Sequence, residues 1–381
     1  MFTFVLLRSD ASFFIPPAAA DHRPIIIIAF FFRHRTPQLA LFFFSECGMR
    51  ECECLHEPTD GVAGVVNLVM VIGILPALAI LGVLLNFLNI VVFASQRNTA
   101  AKYLTALSCS DVGVCVAGVV VIFADSLRAR AFVVDQLFVF LLPKLIPLGL
   151  FFQMLSVYIT VLAAFDCFVS VLRGVSSCNS RSTWAPRVLA GVVVTVAAYN
   201  VIQFADLEAV ECVHPDNYTL YELCPTELRI SELYVVVYKG YMYALTMAFI
   251  PFLLLTILTI GILYLLRKKQ EKAEKVKCEE QEDQGSPVVL LLVIVLFLAC
   301  NVTSLLVNVF EMLKIHLGPA ADAILIDVGN LLVVVNATAN FFVYWASSLE
   351  YKAAVRGLVR KYITRRKAID LISTRTNAEF V

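Results

Sequence analysis

Seven long apolar segments run through this chain of 381 residues and limit what it can fold into. They occupy residues 62–94, 101–127, 138–172, 184–206, 233–266, 286–314 and 321–346. A helix needs roughly 20 mostly apolar residues to cross a bilayer, and each segment is at least that long. The sequence therefore predicts an all-α membrane protein, in which a seven-transmembrane helix bundle forms one domain over residues 62–346.

The composition supports a membrane protein and argues against several other classes. Hydrophobic residues make up 60% of the chain and charged residues 16%, whereas soluble domains average about 45–50% apolar and about 25% charged. No Gly-rich phosphate loop, Cys/His metal cluster or nucleophile elbow is visible in the sequence. We therefore expect a protein that is not an enzyme, needs no cofactor and has no nucleic-acid partner.

The distribution of Lys and Arg predicts the orientation in the membrane. If the N-terminus is extracellular, the inner loops and the tail carry 19 of the 30 basic residues. Basic residues accumulate on the cytoplasmic side of membrane proteins. We therefore expect a multi-pass protein of the plasma membrane with its N-terminus outside the cell.

Two flanking regions complete the predicted organisation. Residues 1–61 are expected to form an extracellular N-terminal segment without ordered structure, because the apolar run at 25–32 is too short to cross a bilayer. Residues 347–381 are expected to form a short amphipathic helix along the inner leaflet and then a cytoplasmic tail, since apolar and basic residues alternate there in a helical pattern. The fifth helix is expected to continue into the charged loop after residue 266.

Polar side chains inside the apolar segments are the first functional signal. Asp111 lies in the second segment, and Asn336 and Asn340 lie four residues apart in the seventh, on one face of a helix. Such groups are expensive in hydrocarbon and face the interior of a bundle. Their presence favours a membrane switch over a soluble enzyme.

Five short patterns carry a family resemblance. They are Gly82-Val-Leu-Leu-Asn86, Leu107-Ser-Cys-Ser-Asp111, Asp166-Cys167-Phe168, Phe297-Leu-Ala-Cys300-Asn301 and Asn340-Phe341-Phe-Val-Tyr344. In this order they resemble the motifs of rhodopsin-like (class A) G-protein-coupled receptors, and the resemblance covers roughly residues 62–365 of the chain. It implies that Asn86 bonds toward the second helix.

The departures from these motifs narrow the resemblance. Asn301 replaces a tryptophan, and Phe341 and Thr303 replace prolines. The Cys-Asn pair in the sixth segment, the Asn-Phe-x-x-Tyr pattern in the seventh and the stretch 199–208 resemble invertebrate receptors for FMRFamide-like peptides, especially nematode ones. The resemblance implies a neuropeptide ligand and signalling through a heterotrimeric G protein.

The resemblance also implies two sites inside the bundle. An ion pocket would be formed by Asp111, Ser156, Asn336 and Asn340, with Asp111 and Ser156 among the ligands of an allosteric sodium ion. Hard cations prefer oxygen ligands, which all four side chains supply; a water-filled hydrogen-bond network is the alternative.

A second implied site is a G-protein switch, formed by Asp166, Cys167, Phe168 and Tyr344. Cys167 replaces the arginine of the family and cannot form a bidentate ion pair. We therefore expect coupling to the G protein to be weakened at this position.

The second outer loop, about residues 207–232, carries six acidic residues and a single arginine. An acidic mouth attracts cationic ligands, and RF-amide peptides are cationic. The expected ligand-binding residues are Gln203, Asp206, Glu208, Tyr238 and Tyr241. The sequon at Asn217 predicts glycosylation in this loop.

The outer cysteines leave the disulfide pairing open. The family usually bonds this loop to the top of the third helix, but no cysteine lies between Cys115 and Cys167. We expect Cys212 and Cys224 to close a hairpin within the loop, provided that their Cα atoms approach within about 7 Å. In the alternative pairing, one of them is bonded to a cysteine at position 47, 52 or 54.

Two other functions remain as alternatives. A divergent chemosensory receptor for a small molecule shares most of these motifs. An ion-coupled transporter also uses an intramembrane carboxylate, but the sequence shows no repeated half. A retinal photoreceptor is disfavoured, because residues 321–346 contain no lysine for a Schiff base.

Overall fold

A computed structural model describes residue 52 and residues 61–96, 98–128, 130–173, 184–214, 218–276, 285–313, 315, 317–361 and 364. Within these ranges, seven helices are long and apolar enough to cross a membrane. They are α1 (Gly61–Ala94), α2 (Thr99–Arg128), α3 (Leu142–Leu172), α4 (Ala185–Ala205), α5 (Tyr234–Glu271), α6 (Pro287–Phe310) and α7 (Pro319–Ser347). The predicted seven-helix bundle is confirmed, and the chain is a multi-pass membrane protein.

The start of α3 and the end of α5 differ from the ends of the corresponding apolar segments. The third segment was expected from residue 138, but α3 begins at Leu142 because a separate short helix, Phe132–Val139, precedes it. Pro143 lies in the first turn of α3, where the missing N–H has little effect. Helical backbone in α5 continues to Val276, as the charged sequence after residue 266 predicted.

The N-terminal half of α5 contains π-helical turns, which have more residues per turn than an α-helix. Residues Tyr234–Met242 and Leu245–Phe249 form π-helical turns, and similar turns occur at Leu68–Ile74 in α1 and Gly118–Phe123 in α2. Such turns are rare and often lie at functional sites, because the extra residue per turn changes where the following side chains point. In α5 they carry the side chains of a polar cluster described below.

Helix α1 packs very closely against α7 and α2. A Cβ atom at Gly82 would lie 2.4 Å from Thr338 Oγ1 and 2.6 Å from Cys115 Sγ. Only glycine fits at this contact, as is common where membrane helices approach each other through small residues. The close approach sets which backbone groups of α7 are within reach of the polar side chains of α1.

A β-hairpin lies between α4 and α5. Its antiparallel strands are β1 (Leu207–Val213) and β2 (Thr219–Pro225). The Gln136 amide, in the short helix before α3, accepts a hydrogen bond from the Tyr221 N–H and donates one to its carbonyl, both at 2.9 Å. At the base, the Thr226 N–H donates to the Asp206 carbonyl at 3.0 Å. The hairpin is therefore fixed on two sides, and we call this end of the bundle the hairpin end.

The expected disulfide between Cys212 and Cys224 is wrong, and the alternative pairing is right. Cys212 is bonded to Cys52 of the N-terminal segment. In the hairpin register Cys212 lies opposite Leu220, whereas Cys224 lies opposite Glu208. At about 3.4 Å per residue, four positions separate the two cysteines by roughly 13 Å along the strands, which is too far for a disulfide.

The chain after α7 forms a further helix, α8, over residues 349–361. Tyr351 and Val355 are buried one turn apart, while Arg356 and Arg360 are exposed. The predicted amphipathic helix after the seventh span is therefore confirmed. The predicted glycosylation site Asn217, most of residues 1–60 and most of the tail after 361 lie outside the described residues.

We predict that Cys52→Ser lowers the melting temperature of the detergent-purified protein. The bond closes a loop of 160 residues, and removing a native disulfide usually costs about 2–4 kcal/mol. Cys109→Ser is the control, because Cys109 is a free and exposed cysteine of α2. A Cys52→Ser protein that melts with the wild type would contradict the prediction.

Candidate functional site

A fully buried carboxylate joins three helices at the centre of the bundle. Asp111 of α2 is 0% exposed. Its Oδ1 accepts a hydrogen bond from Ser156 Oγ of α3 at 2.8 Å, and its Oδ2 accepts one from Asn340 Nδ2 of α7 at 2.8 Å. A buried carboxylate requires such donors. The structure thus brings three of the four predicted ion-pocket residues into direct contact.

Unused oxygen atoms remain around this carboxylate. Asn336 lies one turn before Asn340 on α7, and the Oδ1 atoms of both side chains are buried without a hydrogen-bond partner in the described part of the chain. The Oγ of Ser108, one turn before Asp111, is likewise buried without a hydrogen-bond partner among the described residues. Carboxylate, hydroxyl and amide oxygens are the ligand atoms that a hard cation prefers. The chemistry of these side chains therefore fits a sodium ion.

A chain of hydrogen bonds connects α8 to α7 through α1. Tyr351 Oη donates to Asn89 Oδ1 at 2.5 Å, and Asn89 Nδ2 donates to Asn86 Oδ1 at 3.3 Å. Asn86 Nδ2 then donates to the Ala337 carbonyl of α7 at 2.8 Å. The expectation that Asn86 bonds toward the second helix is wrong, because the close approach of α1 and α7 brings this carbonyl within reach. Burial raises the pKa of Tyr351, so its hydroxyl stays protonated and donates.

A cavity of about 290 Å³ opens at the end of the bundle opposite the hairpin. Asp166, Cys167 and Tyr344 line it, together with residues of α2, α6 and α8. Cys167 is only 1% exposed and lies in the cavity wall. Phe168 is not in the lining; its ring packs against Gly261 of α5, where a Cβ atom would lie 2.7 Å away. Three of the four predicted switch residues therefore share one cavity.

The hairpin end holds a buried polar cluster between α4 and α5. The Asp206 carboxylate accepts a hydrogen bond from the Tyr234 hydroxyl and pairs with Lys239 Nζ at 2.5 Å. Lys239 Nζ also donates to Gln203 Oε1 at 3.0 Å, and Gln203 Nε2 donates to Asn200 Oδ1 at 2.9 Å. All five side chains are buried. Two of the predicted ligand-binding residues, Gln203 and Asp206, belong to this cluster.

The other three predicted ligand-binding residues lie in different surroundings. Tyr238 stacks between Tyr199 and Tyr234, with ring centroids 5.2 Å and 5.0 Å away, and borders the cluster. Glu208 is exposed on β1, at the mouth. Tyr241 is 51% exposed on the surface of α5. Of the five residues, two are therefore buried in the cluster and a third, Tyr238, is half-buried beside it. The remaining two, Glu208 and Tyr241, are exposed.

A second cavity lies between α3, α5 and α6. Its polar lining residues include Gln153, Asn301, Ser304 and Asn308. Asn301 and Asn308 use their amide nitrogens on their own helix, at the carbonyls of Phe297 and Ser304. The Gln153 Oε1 atom is buried without a partner in the described residues. This polar cavity is suited to a small hydrogen-bonding group.

Sequence reasoning did not assign several residues of these sites. Lys239 is the ion partner of Asp206, Ser108 adds a hydroxyl beside Asp111, and Gln153 lines the second cavity. A lysine or glutamine inside an apolar segment is itself a signal, since such residues face the bundle interior and find partners there. Ser108 gave no signal, because serine is common where membrane helices pack.

Comparisons with known proteins agree with this architecture. A family model described as "Serpentine type 7TM GPCR chemoreceptor Srw" matches residues 74–361, which is most of the chain. The chain is also 29% identical over 320 residues to a Caenorhabditis elegans protein named "Probable G-protein coupled receptor frpr-1". That match covers 79% of this chain and 81% of the relative.

Two further relatives carry the name of a peptide. The chain is 24% identical to the Drosophila melanogaster "FMRFamide receptor", over 70% of this chain and 49% of that receptor. It is 23% identical to the C. elegans "FMRFamide peptide receptor frpr-18", over 72% of this chain and 66% of that receptor. The similarity thus extends to peptide receptors of two invertebrates.

We predict that Asp206→Asn strongly destabilises the protein, because it leaves the Lys239 ammonium buried without its counter-charge. Breaking a buried pair from one side usually costs about 3–5 kcal/mol. The double variant Asp206→Leu, Lys239→Met removes both charges and is expected to regain most of this loss. Melting temperatures in detergent measure both effects. Asp206→Leu and Lys239→Met as single variants complete a double-mutant cycle, in which additive losses would show that the two residues are not coupled.

Proposed function

Because the chain belongs to the serpentine 7TM G-protein-coupled receptor family Srw, we propose that it is a plasma-membrane receptor for an FMRFamide-like neuropeptide. The peptide binds at the hairpin end, outside the cell, and a heterotrimeric G protein binds in the cavity at the opposite end. The chain carries out no catalysis and needs no cofactor. The observation that carries the proposal is the arrangement of polar sites along one bundle, with the Asp111 contact between the two ends.

The charge at the hairpin end supports a cationic peptide. Four glutamates, Glu208, Glu211, Glu227 and Glu232, are exposed on the hairpin and the loop that follows it. A surface of one sign raises the local concentration of ligands of the opposite sign and speeds their association. The relatives named for FMRFamide support the same class of ligand.

Two observations support an extracellular hairpin. The Cys52–Cys212 disulfide joins it to the N-terminal segment, and disulfides persist in oxidising surroundings outside the cell. The basic residues of α8 and of the extension of α5 lie toward the other end, which agrees with the positive-inside rule. In this orientation α8 lies along the inner leaflet.

The Asp111 pocket is proposed as the site of an allosteric sodium ion. Asp111 and Ser156 would be ligands, together with the amide oxygens of Asn336 and Asn340, which accept no hydrogen bond from the described residues. The ion would neutralise the carboxylate and favour the arrangement of α2, α3 and α7 that surrounds it. A ligand that prefers another arrangement would then oppose the ion, since any ligand shifts such an equilibrium by its differential affinity.

A small-molecule ligand is the second candidate function. The description of the family model names a chemoreceptor, and a small cavity between α3, α5 and α6 is lined in part by polar side chains. Membership in a receptor family argues against the ion-coupled transporter. The ligand screen described next distinguishes a peptide ligand from a small-molecule ligand.

The experiment that tests the function is a ligand screen on cells that express the receptor. A set of amidated peptides is applied, of which Phe-Met-Arg-Phe-amide is tested first. Nucleotide exchange on co-expressed G proteins is measured. The proposal requires a response to amidated peptides that is absent from cells without the receptor and weaker for the free-acid forms. A response to small odorant-like molecules alone would support the chemosensory function instead.

We predict that Asp111→Asn and Asn340→Ala each remove the effect of sodium on ligand affinity and reduce signalling. Both changes remove an oxygen or an anchoring donor from the proposed ion site. Asp327→Asn is the control, because Asp327 is a buried α7 carboxylate that pairs with Asn67 instead. Binding of a radiolabelled peptide is measured in sodium and in choline chloride. Unchanged sodium dependence in both variants rules out the ion pocket.

We predict that Cys167→Arg increases G-protein signalling. The new guanidinium would line the cavity at the α8 end, where the family carries an arginine, and would present planar paired donors to the G protein. Cys167→Lys is the control, since it adds the charge without the planar fork. Ligand-stimulated nucleotide exchange is the measurement, and an arginine variant no better than wild type would contradict the coupling deficit.

A further inference from the structure

A buried arginine at the hairpin end has terminal nitrogens that bond to no carboxylate among the described residues. Arg229 lies in the four-residue helix Glu227–Ile230, between β2 and α5, and is only 3% exposed. Its Nη1 and Nη2 atoms are buried and make no hydrogen bond in the part of the chain that the structure describes. A buried charge without partners strongly destabilises a protein, so this guanidinium requires an explanation.

The nearby carboxylate is already occupied. One oxygen of Asp206 accepts the Tyr234 hydroxyl, and the other pairs with Lys239 at 2.5 Å. Arg229 is close enough for its positive charge to act on both Tyr234 and Lys239. With Arg229 counted, the cluster therefore holds two cations and one carboxylate among the described residues.

The other buried carboxylate of the hairpin is engaged at the disulfide. Glu222 Oε1 accepts a hydrogen bond from Cys224 Sγ at 3.3 Å. The same carboxylate lies within 4.8 Å of the sulfur atoms of Cys52 and Cys212. In the described part of the chain, neither of these two carboxylates hydrogen-bonds the terminal nitrogens of Arg229.

We infer that Arg229 is a subsite for a carboxylate of the extracellular ligand, an inference that rests on the proposed receptor function. A guanidinium presents two parallel N–H groups that match a carboxylate. In an amidated peptide this carboxylate is an Asp or Glu side chain, because the C-terminus is neutral. The ligand class is thereby narrowed to peptides that carry an acidic group for Arg229 and a basic group for the exposed glutamates.

The ligand reaches Arg229 by displacing the loop that carries it. The loop is fixed at its start, where Thr226 Oγ1 donates to the carbonyls of Ala205 and Asp206 at 2.6 Å and 3.2 Å. Beyond Thr226 the helix has a single turn. A small movement of so short an element exposes the guanidinium, as is common for loops that close over ligands.

The first test compares two buried arginines of the hairpin end in the ligand-free, detergent-purified receptor. Arg128 pairs with Asp125 at 3.2 Å and with Asp135 at 2.7 Å, whereas Arg229 has no such partner among the residues that the structure describes. Arg128→Met is therefore expected to melt below the wild type, and Arg229→Met at or above it. If Arg229→Met melts as low as Arg128→Met, the residue is structural and the inference is overturned.

The second test uses a minimal carboxylate probe. N-acetyl-aspartyl amide is expected to raise the melting temperature of the wild type but not of Arg229→Met, and the neutral N-acetyl-asparaginyl amide is expected to have no effect. Sodium chloride at the same concentration is the comparison for inorganic anions. An Arg229-dependent shift that chloride produces equally well would assign the site to an inorganic anion and overturn the role in ligand recognition.

The third test uses matched peptides. Phe-Met-Arg-Phe-amide is extended by up to three residues that contain either Asp or Asn, and nucleotide exchange is measured. The best Asp peptide is expected to be roughly tenfold to a hundredfold more potent than its Asn partner, as for one charged hydrogen bond, and the difference should vanish in Arg229→Met. Equal potencies in every pair overturn the inference. If no peptide activates the receptor, the proposed function fails, while the carboxylate probe still decides whether Arg229 binds an acid.

Discussion

The two hydrogen bonds to the Asp111 carboxylate are the interaction on which the rest of the bundle depends. They hold α2, α3 and α7 at one fully buried point, through Ser156 and Asn340. In an interior of low dielectric constant, a carboxylate that loses such donors carries a large penalty. The three helices therefore cannot shift separately without leaving this group unsatisfied. A discrete change in their arrangement, rather than a gradual one, is what a two-state receptor requires.

The contacts on the two sides of this point differ in kind. At the hairpin end, ion pairs and a disulfide fix the short elements in place, and the terminal nitrogens of the buried Arg229 have no hydrogen-bond partner within the described ranges. At the opposite end, Tyr351, Asn89 and Asn86 form a neutral chain of hydrogen bonds that ties α8 to α7. That chain borders a cavity of about 290 Å³. The molecule thus combines a charged hairpin end with an opposite end whose neutral hydrogen bonds border an open space.

The departures from the common receptor motifs have visible consequences for packing. Phe341, in place of proline, leaves α7 a continuous helix over Pro319–Ser347, since it keeps the N–H that proline lacks. Its ring lies 6.2 Å from Trp345 and 6.0 Å from Tyr351, so it also packs against α8. Asn301, in place of tryptophan, opens the wall of the cavity between α3, α5 and α6 to a polar group. Phe341 thus leaves α7 without a proline kink, and Asn301 places an amide where the family has an indole.

The sequence by itself determined the seven helices, the amphipathic helix after them and the inward direction of Asp111 and Asn340, because length, hydropathy and helical spacing are local properties. It also placed Gln203 and Asp206 together at the end of the fourth helix, where the structure has both side chains in one cluster. Only the tertiary structure decided that Cys212 bonds Cys52, that Asn86 meets α7 and that Lys239 pairs with Asp206. It also decided that the terminal nitrogens of Arg229 meet no hydrogen-bond acceptor among the described residues. Each of these depends on which distant elements come together, and in a bundle that is set by close packing, such as Gly82 against Thr338, and by strand register, neither of which has a local signature in the chain.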